Sequence, residues 1–211
     1  LWGGGGGRRA FGRGYGGTGN ESGANPPTRA GRPFHLEGNA WVDRDAAGKA
    51  KAILELGWHY APGKTHPRDD ATVVFRRSLD GGRSWIDEFS PPQWKFTMRH
   101  AGKSWLRGVS EGAIVRAANG DLVTALRSDM PPSFFEGPHD DSLEGTAISI
   151  SQDDGRTWSK MNILFNPGRN HANLQRLPNN DLVCTMVVRD DVDSLNRASD
   201  RRGCDALISR D

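Results

Sequence analysis

Five charged side chains lie next to predicted strand ends, where side chains face loops rather than a core. They are two arginines, Arg127 and Arg189, and three acids, Glu111, Asp69 and Asp70. A guanidinium group can bind a carboxylate through two parallel hydrogen bonds and stays charged at ordinary pH. A carboxyl group can donate or accept the proton that bond cleavage requires. These residue types could bind an acidic ligand and transfer protons, provided that the fold brings them to one face.

The elements that would position these residues are short strands. From about residue 38, apolar runs alternate with Gly, Asn and Asp, which predicts strands joined by tight turns. The segment NGDLV at 119–123 recurs sixty positions later as NNDLV at 179–183. Each copy follows one apolar run and precedes another that ends in arginine. We therefore predict two β-hairpins in a repeated, all-β architecture.

A second repeated segment has the pattern S-x-D-x-G-x-x-W. Its defining residues are Ser78, Asp80, Gly82 and Trp85 in the first copy and Ser151, Asp153, Gly155 and Trp158 in the second. A third copy begins at 209–211. The Asp carboxylate can accept backbone N–H groups across a turn, Gly can adopt positive φ, and Trp can cover the adjoining strands. We therefore interpret these segments as structural turns rather than catalytic groups.

The S-x-D-x-G-x-x-W segments, in register with the repeated hairpin, resemble the Asp-box (BNR) repeats of the sialidase superfamily. That resemblance implies a six-bladed β-propeller with four antiparallel strands in each blade, covering residues 38–211. A blade takes about 40 to 60 residues, so we expect a partial propeller of about three blades, truncated at its C-terminus. Residues 1–37 are rich in Gly, Arg and Pro, and we interpret them as a disordered or non-native lead-in.

Strand direction divides the predicted blades into two faces. Because successive strands run in opposite directions, all S-x-D-x-G-x-x-W turns should lie on one face. The five charged residues should share the opposite face, where a propeller has its central funnel. Trp58 begins a loop on this second face, and it could either stack on a sugar ring or seal the edge of its blade.

Family sialidases bind the sugar carboxylate with three arginines and use a tyrosine nucleophile, a Glu that activates it and an Asp acid/base. The stretch from Glu111 to Arg127 is similar to the family pattern E-x-x-V-V-x-x-x-x-G-x-L followed by a strand that closes on arginine. The resemblance implies that Glu111 activates the tyrosine and that Arg127 binds the carboxylate. It implies a second such arginine in Arg189, and an acid/base in either Asp69 or Asp70. The alternative for each residue is a solvated charge at a strand end.

The chain also departs from the family pattern. The R-I-P motif that carries the first arginine is absent from the matching stretch at 35–39, and neither Tyr15 nor Tyr60 lies where the nucleophile should be. We therefore expect no turnover from this chain alone. The resemblance implies a parent glycoside hydrolase of exo-α-sialidase type that cleaves terminal sialic or similar acidic sugars from glycans. The alternative is a non-catalytic Asp-box propeller that binds glycans or proteins.

Composition argues against several other classes of protein. The 28 basic and 26 acidic residues nearly cancel, so we expect no nucleic-acid partner. Three arginines among glycines, Arg8, Arg9 and Arg13, leave flexible RNA binding as a rival hypothesis. No apolar run approaches the roughly 20 residues of a membrane span. The histidine spacings fit no zinc motif, and we predict neither a metal nor a cofactor. Only the family resemblance suggests secretion or a periplasmic location.

Overall fold

The computed structural model describes residues 36, 38–60, 71–100, 102–129, 144–165, 168–189, 191–192, 198–199 and 202–209. The strands in these ranges are β1 (Trp41–Arg44), β2 (Ala50–Tyr60), β3 (Ala71–Ser78), β4 (Ile86–Phe89), β5 (Phe96–His100), β6 (Lys103–Arg107), β7 (Val109–Arg116), β8 (Leu122–Ser128), β9 (Gly145–Ser151), β10 (Asn162–Phe165), β11 (Arg169–Arg176), β12 (Leu182–Val188), β13 (Asp191–Val192), β14 (Ala198–Ser199) and β15 (Gly203–Ser209). A 3₁₀ turn spans Pro92–Trp94. The predicted lead-in, apart from residue 36, lies outside the described residues, as do Asp69 and Asp70.

Three antiparallel sheets follow one another along the chain, and we call them blades 1, 2 and 3. Blade 1 has the order β1-β2-β3-β4, blade 2 has β7-β8-β9-β10, and blade 3 has β11-β12-β15. Each sheet is a meander in which strands adjacent along the chain, or separated only by the β13–β14 pair, are hydrogen-bonded neighbours. This is the construction of β-propeller blades, and it confirms the prediction of an all-β fold with four-stranded antiparallel units.

The two repeated hairpins form as predicted. In blade 2 the N–H of Ala117 donates to the carbonyl of Asp121 at 2.8 Å, and the N–H of Gly120 donates back to Ala117 at 3.1 Å. Gly120 has φ of 96°, and Asn180, its counterpart in blade 3, has φ of 72°. This left-handed conformation suits Gly, and Asn tolerates it better than most other residues. The turn chemistry of the sequence therefore sets the hairpins.

The S-x-D-x-G-x-x-W segments form turns held by their own side chains. Ser78 Oγ donates to Asp80 Oδ1 at 2.8 Å and accepts the N–H of Gly82 at 2.7 Å. The Asp80 carboxylate accepts the hydroxyl and the N–H of Ser84 at 2.6 and 2.9 Å. The turn around Asp153 repeats these bonds with a threonine in place of the second serine. The hydroxyl and N–H donors lower the pKa of both aspartates to about 2. Both carboxylates therefore stabilise their own turns.

An aromatic core joins blades 1 and 2. Trp158, from the second turn, packs edge-on against Phe75 and Trp94, with ring centroids 5.6 and 5.1 Å away. Trp58 is buried in the same core, so it seals the blade rather than facing a ligand. A Cβ on Gly112 would lie 2.4 Å from Leu126 Cδ2, so a larger residue there would have to displace the packed leucine side chain. The second core, between blades 2 and 3, is built from Ala113, Val115, Ala117, Ala125, Ala172, Leu174, Leu182, Cys184 and Met186.

Asn39, just before β1, joins the three blades. Its Nδ2 donates to the carbonyl of Ile114 in β7 at 3.2 Å, and its Oδ1 accepts the N–H of Leu174 in β11 at 3.4 Å. Its own carbonyl accepts the N–H of Ile114 at 3.4 Å. One polar residue therefore fixes the first strands of blades 2 and 3 relative to the start of blade 1.

Ion pairs lock blades 1 and 2 on the face of the S-x-D-x-G-x-x-W turns. Arg116 binds both oxygens of Asp43 at 2.8 and 2.6 Å and Asp154 Oδ1 at 2.6 Å. Arg77 binds Asp154 Oδ2 at 2.6 Å. Burial raises the pKa of Asp154, but hydrogen bonds from the two arginines outweigh this effect and leave the pKa below its ordinary value. These charges pair with one another, so they hold the two blades together.

Candidate functional site

The strand registers place the candidate residues on the face opposite the turns. Arg127 pairs with Ser110 on one side and with Thr146 on the other. At the far end of the same strands, Leu122 pairs with Arg116 and with Ser151, where the turn begins. Strand parity therefore assigned Glu111 and Arg127 to the correct end of blade 2.

Two bulges aim side chains into this face. Glu111 and His171 have φ of 31° and 50°, which is uncommon for residues other than Gly. Each lies at an irregularity of register, in β7 and in β11 respectively. They are sixty positions apart, the same offset as the repeated hairpins. A bulge re-aims a side chain, and here His171 Nδ1 lies 2.8 Å from Glu111 Oε2.

Glu111, Arg127 and Glu144 form a buried ion-pair group. The side chains are 9%, 5% and 0% exposed, with Arg127 Nη1 bonded to Glu111 Oε1 and Arg127 Nε against Glu144 Oε2. Burial raises the pKa of Glu111, but the hydrogen bond from His171 and the charge of Arg127 outweigh it, so the pKa lies below its ordinary value. Glu111 is therefore an ionised carboxylate at neutral pH, as a proton acceptor must be.

The same geometry differs from the ligand role expected for Arg127. Two carboxylates face its Nε and Nη1, and the side chain is almost fully buried. Within the described residues, Arg127 thus neutralises Glu111 and Glu144 instead of presenting an open guanidinium group. The sequence could not reveal this because Glu144 precedes β9 and carries no motif of its own.

Arg189 is half-buried and follows β12. The registers align Arg127 with Val187, so Arg189 lies two residues beyond the equivalent position that the sequence suggested. Its Nε donates to Asn170 Oδ1 at 3.1 Å, and its Nη2 lies 2.8 Å from His171 Nε2. Glu111, His171 and Arg189 therefore form a continuous chain of contacts from blade 2 to blade 3.

His171 is the functional candidate that sequence reasoning missed. It has no catalytic motif around it, and the repeat aligned only the hairpin turns and their flanking strands. The sixty-residue offset was nevertheless a usable signal, because it places His171 at the repeat position of Glu111. Asn170, fully buried beside it, is the second residue that was not predicted.

Asp129 is a buried acid next to this group. Ser110 Oγ donates to its Oδ1 at 3.0 Å. Burial raises the pKa of Asp129 to about 6, against the opposing charges of Arg127 and Arg107. Asp129 therefore changes charge in a pH range where Glu111, whose pKa is lowered, remains ionised.

Asp129→Asn is expected to remove a pH dependence of stability. The folded-state pKa of about 6 lies above the ordinary 3.8, so the folded state binds more protons between these values. The stability that Asp129 contributes is then highest below pH 4, falls as the pH rises to 6, and stays constant at higher pH. In urea unfolding from pH 4 to 8, the free energy of unfolding of the variant should rise relative to that of the parent by up to about 3 kcal/mol. Parallel pH curves for the two proteins would contradict this assignment.

Two kinds of feature are absent from the described residues. No group of three or more His, Cys, Asp or Glu side chains there is arranged to hold a metal ion. None of the helical segments there has the length and apolar character needed to cross a bilayer. The three sheets are antiparallel and built as propeller blades are, and they carry a polar cluster at one end.

Comparison with known proteins returned structural matches alone. No protein-family model and no curated protein matches the chain. A Dyadobacter fermentans protein of unknown function matches with 16% identity and a TM-score of 0.49, over 76% of this chain and 36% of that one. A Hadza microbial sialidase matches with 18% identity and a TM-score of 0.46, over 76% and 29%.

A third match is the Trypanosoma rangeli sialidase in complex with the inhibitor DANA, with 18% identity and a TM-score of 0.48, over 78% of this chain and 27% of that one. This chain therefore spans between about a quarter and just over a third of the length of these three structures. Because each TM-score is below 0.5, the blade assignment rests on strand order and register.

Proposed function

We propose that these blades belong to a sialidase-like glycoside hydrolase that acts on terminal sialic acid, or a similarly acidic sugar, of glycans. The observation that carries the proposal is the chain of contacts from buried, ionised Glu111 through His171 to half-buried Arg189. The S-x-D-x-G-x-x-W turns, which we assign as Asp boxes, support the same class.

In this proposal each residue has a role that matches its surroundings. Arg189 binds the sugar carboxylate, because a guanidinium group remains charged and fits a carboxylate through two bonds. Glu111 takes the proton of the attacking group; in sialidases that group is a tyrosine phenol, an exception among glycosidases. Arg127 holds Glu111 in its ionised form. Asp69 or Asp70 remains the proposed acid/base.

A second candidate is a non-catalytic propeller that binds acidic glycans or proteins. The observation that favours it is the pairing of Arg127 with two glutamates. Of the two arginines predicted as ligands, Arg189 alone then keeps that role among the described residues. Binding would need Arg189 and its neighbours, whereas hydrolysis would also need a nucleophile.

Calorimetric titration with N-acetylneuraminate and with its uncharged methyl ester tests the proposal. We expect the acid to bind more tightly than the ester, and Arg189→Gln to weaken binding of the acid by about tenfold or more. Arg44→Gln is the matched control, because Arg44 is exposed in the β1–β2 turn on the opposite face. Equal affinity for acid and ester would overturn the proposal. Release of fluorophore from a fluorogenic sialoside would identify an enzyme and would contradict our expectation that this chain alone has no turnover.

A further inference from the structure

Consecutive side chains of β11 hold one edge of the Arg189 guanidinium group. Asn170 Oδ1 accepts from Nε at 3.1 Å, and His171 Nε2 lies 2.8 Å from Nη2. Nε and one N–H of Nη2 form one edge of the guanidinium fork, while Nη1 and the second N–H of Nη2 form the other. Within the described residues, Nη1 has no hydrogen-bond partner. One edge is thus fixed by Asn170 and His171, and the second makes no hydrogen bond to the described residues.

The contacts of His171 determine its tautomer. A guanidinium group has no acceptor, so His171 Nε2 must accept the bond from Arg189. The ring proton is then on Nδ1, which lies 2.8 Å from Glu111 Oε2. In this arrangement the imidazole bridges a carboxylate and a guanidinium group. Among the described residues, the other charged side chains near this site are Arg127 on β8, Glu144 before β9, Asp129 and Arg107.

We propose that His171 is a positioning residue that orients the free edge of Arg189 toward a ligand carboxylate and fixes its separation from Glu111. This inference rests on the proposed function, since the ligand is the acidic sugar. A guanidinium group held at one edge loses less conformational freedom on binding, and it presents two parallel donors in a set direction. The positive φ of both His171 and Glu111 is then the backbone conformation that brings the three groups into line.

The tautomer of His171 can be measured in the unmodified chain without any ligand. Nitrogen-15 chemical shifts of the imidazole ring at pH 7.5 should identify a ring protonated at Nδ1, with Nε2 in the range of a hydrogen-bonded acceptor. His171→Gln assigns the signal by its disappearance. A ring protonated at Nε2 overturns the inference, whatever the protein binds.

Variants of His171 test the effect on binding. His171→Leu fills the site without a hydrogen bond, and we expect the affinity for N-acetylneuraminate to fall about tenfold or more. His171→Gln can accept from Arg189 through its carbonyl and donate to Glu111 through its amide, so it should recover most of that affinity, to within about threefold of the parent. Affinity for the methyl ester should change little in either variant.

The outcomes separate this inference from the proposed function. If the parent chain binds the acid, but Leu and Gln at position 171 bind it equally well, the positioning role is wrong and the proposed function stands. If the parent does not distinguish acid from ester, the proposed function fails, and the tautomer measurement still decides how His171 bridges its neighbours. Circular dichroism melts of both variants show whether a loss of affinity reflects unfolding.

Discussion

Replacing Trp158 by alanine is expected to lower the free energy of unfolding by about 3–5 kcal/mol. The indole is 4% exposed and lies between two blades, against the rings of Phe75 and Trp94. Its Nε1 also donates to the carbonyl of Gly155 at 3.1 Å. Removing it leaves a cavity that two rigid sheets cannot close. Urea unfolding monitored by far-UV circular dichroism measures the loss.

Trp85→Ala is the matched control for this prediction. Trp85 occupies the same position of the first turn, but it is half-buried and packs under the Arg76 guanidinium group at 3.9 Å. Its removal should cost about 1 kcal/mol, from one cation–π contact and partial burial. Equal losses for the two variants would show that these tryptophans stabilise their own turns rather than the contact between blades.

Arg127→Met is expected to destabilise the chain by about 3–5 kcal/mol at neutral pH, because it leaves two buried carboxylates without their shared cation. Glu111 and Glu144 then face each other in a site that excludes water. Repulsion and burial should raise their folded-state pKa above the unfolded value, so the variant regains stability as pH falls and they take up protons. In the parent, the pKa of Glu111 is lowered rather than raised. The parent therefore loses stability as the pH falls and Glu111 takes up a proton.

The difference between parent and Arg127→Met should therefore narrow from pH 7.5 to pH 4.5 in urea unfolding. The triple variant with Glu111→Gln and Glu144→Gln removes both charges and should recover much of the lost stability. A deficit that is independent of pH would mean that Arg127 stabilises the chain by packing rather than by charge. Arg44→Met, on the opposite face, should have little effect at either pH.

Local chemistry made much of the fold predictable. Gly120 and Asn180 adopt the positive φ that a tight hairpin requires, and the aspartates of the S-x-D-x-G-x-x-W turns bond within a few residues. These interactions form between residues that are close in sequence, so a short sequence pattern is enough to predict them. Strand parity then assigned Glu111 and Arg127 to one end of the sheets, because each tight turn reverses the chain.

The partner of each charged side chain was not predictable from the sequence, because the partners come from distant segments. The short motif patterns that identified the candidate residues could not show that Arg127 would be enclosed by Glu111 and Glu144. The bulges at Glu111 and His171 are likewise invisible as composition, although they decide which side chains meet. Trp58 left two alternatives open until packing placed it in a core.

The two bulges have a consequence for how such a site can change. Glu111 and His171 occupy equivalent positions in successive repeats, and both have a positive φ. A substitution at this repeat position changes the chemistry of the shared site. The residues that form the hairpins and turns of the blade are not affected by it. Glu111 also belongs to the buried ion-pair group with Arg127 and Glu144, so a change there affects the stability of blade 2 as well as the chemistry of the site, whereas half-exposed His171 can change at a smaller cost in stability.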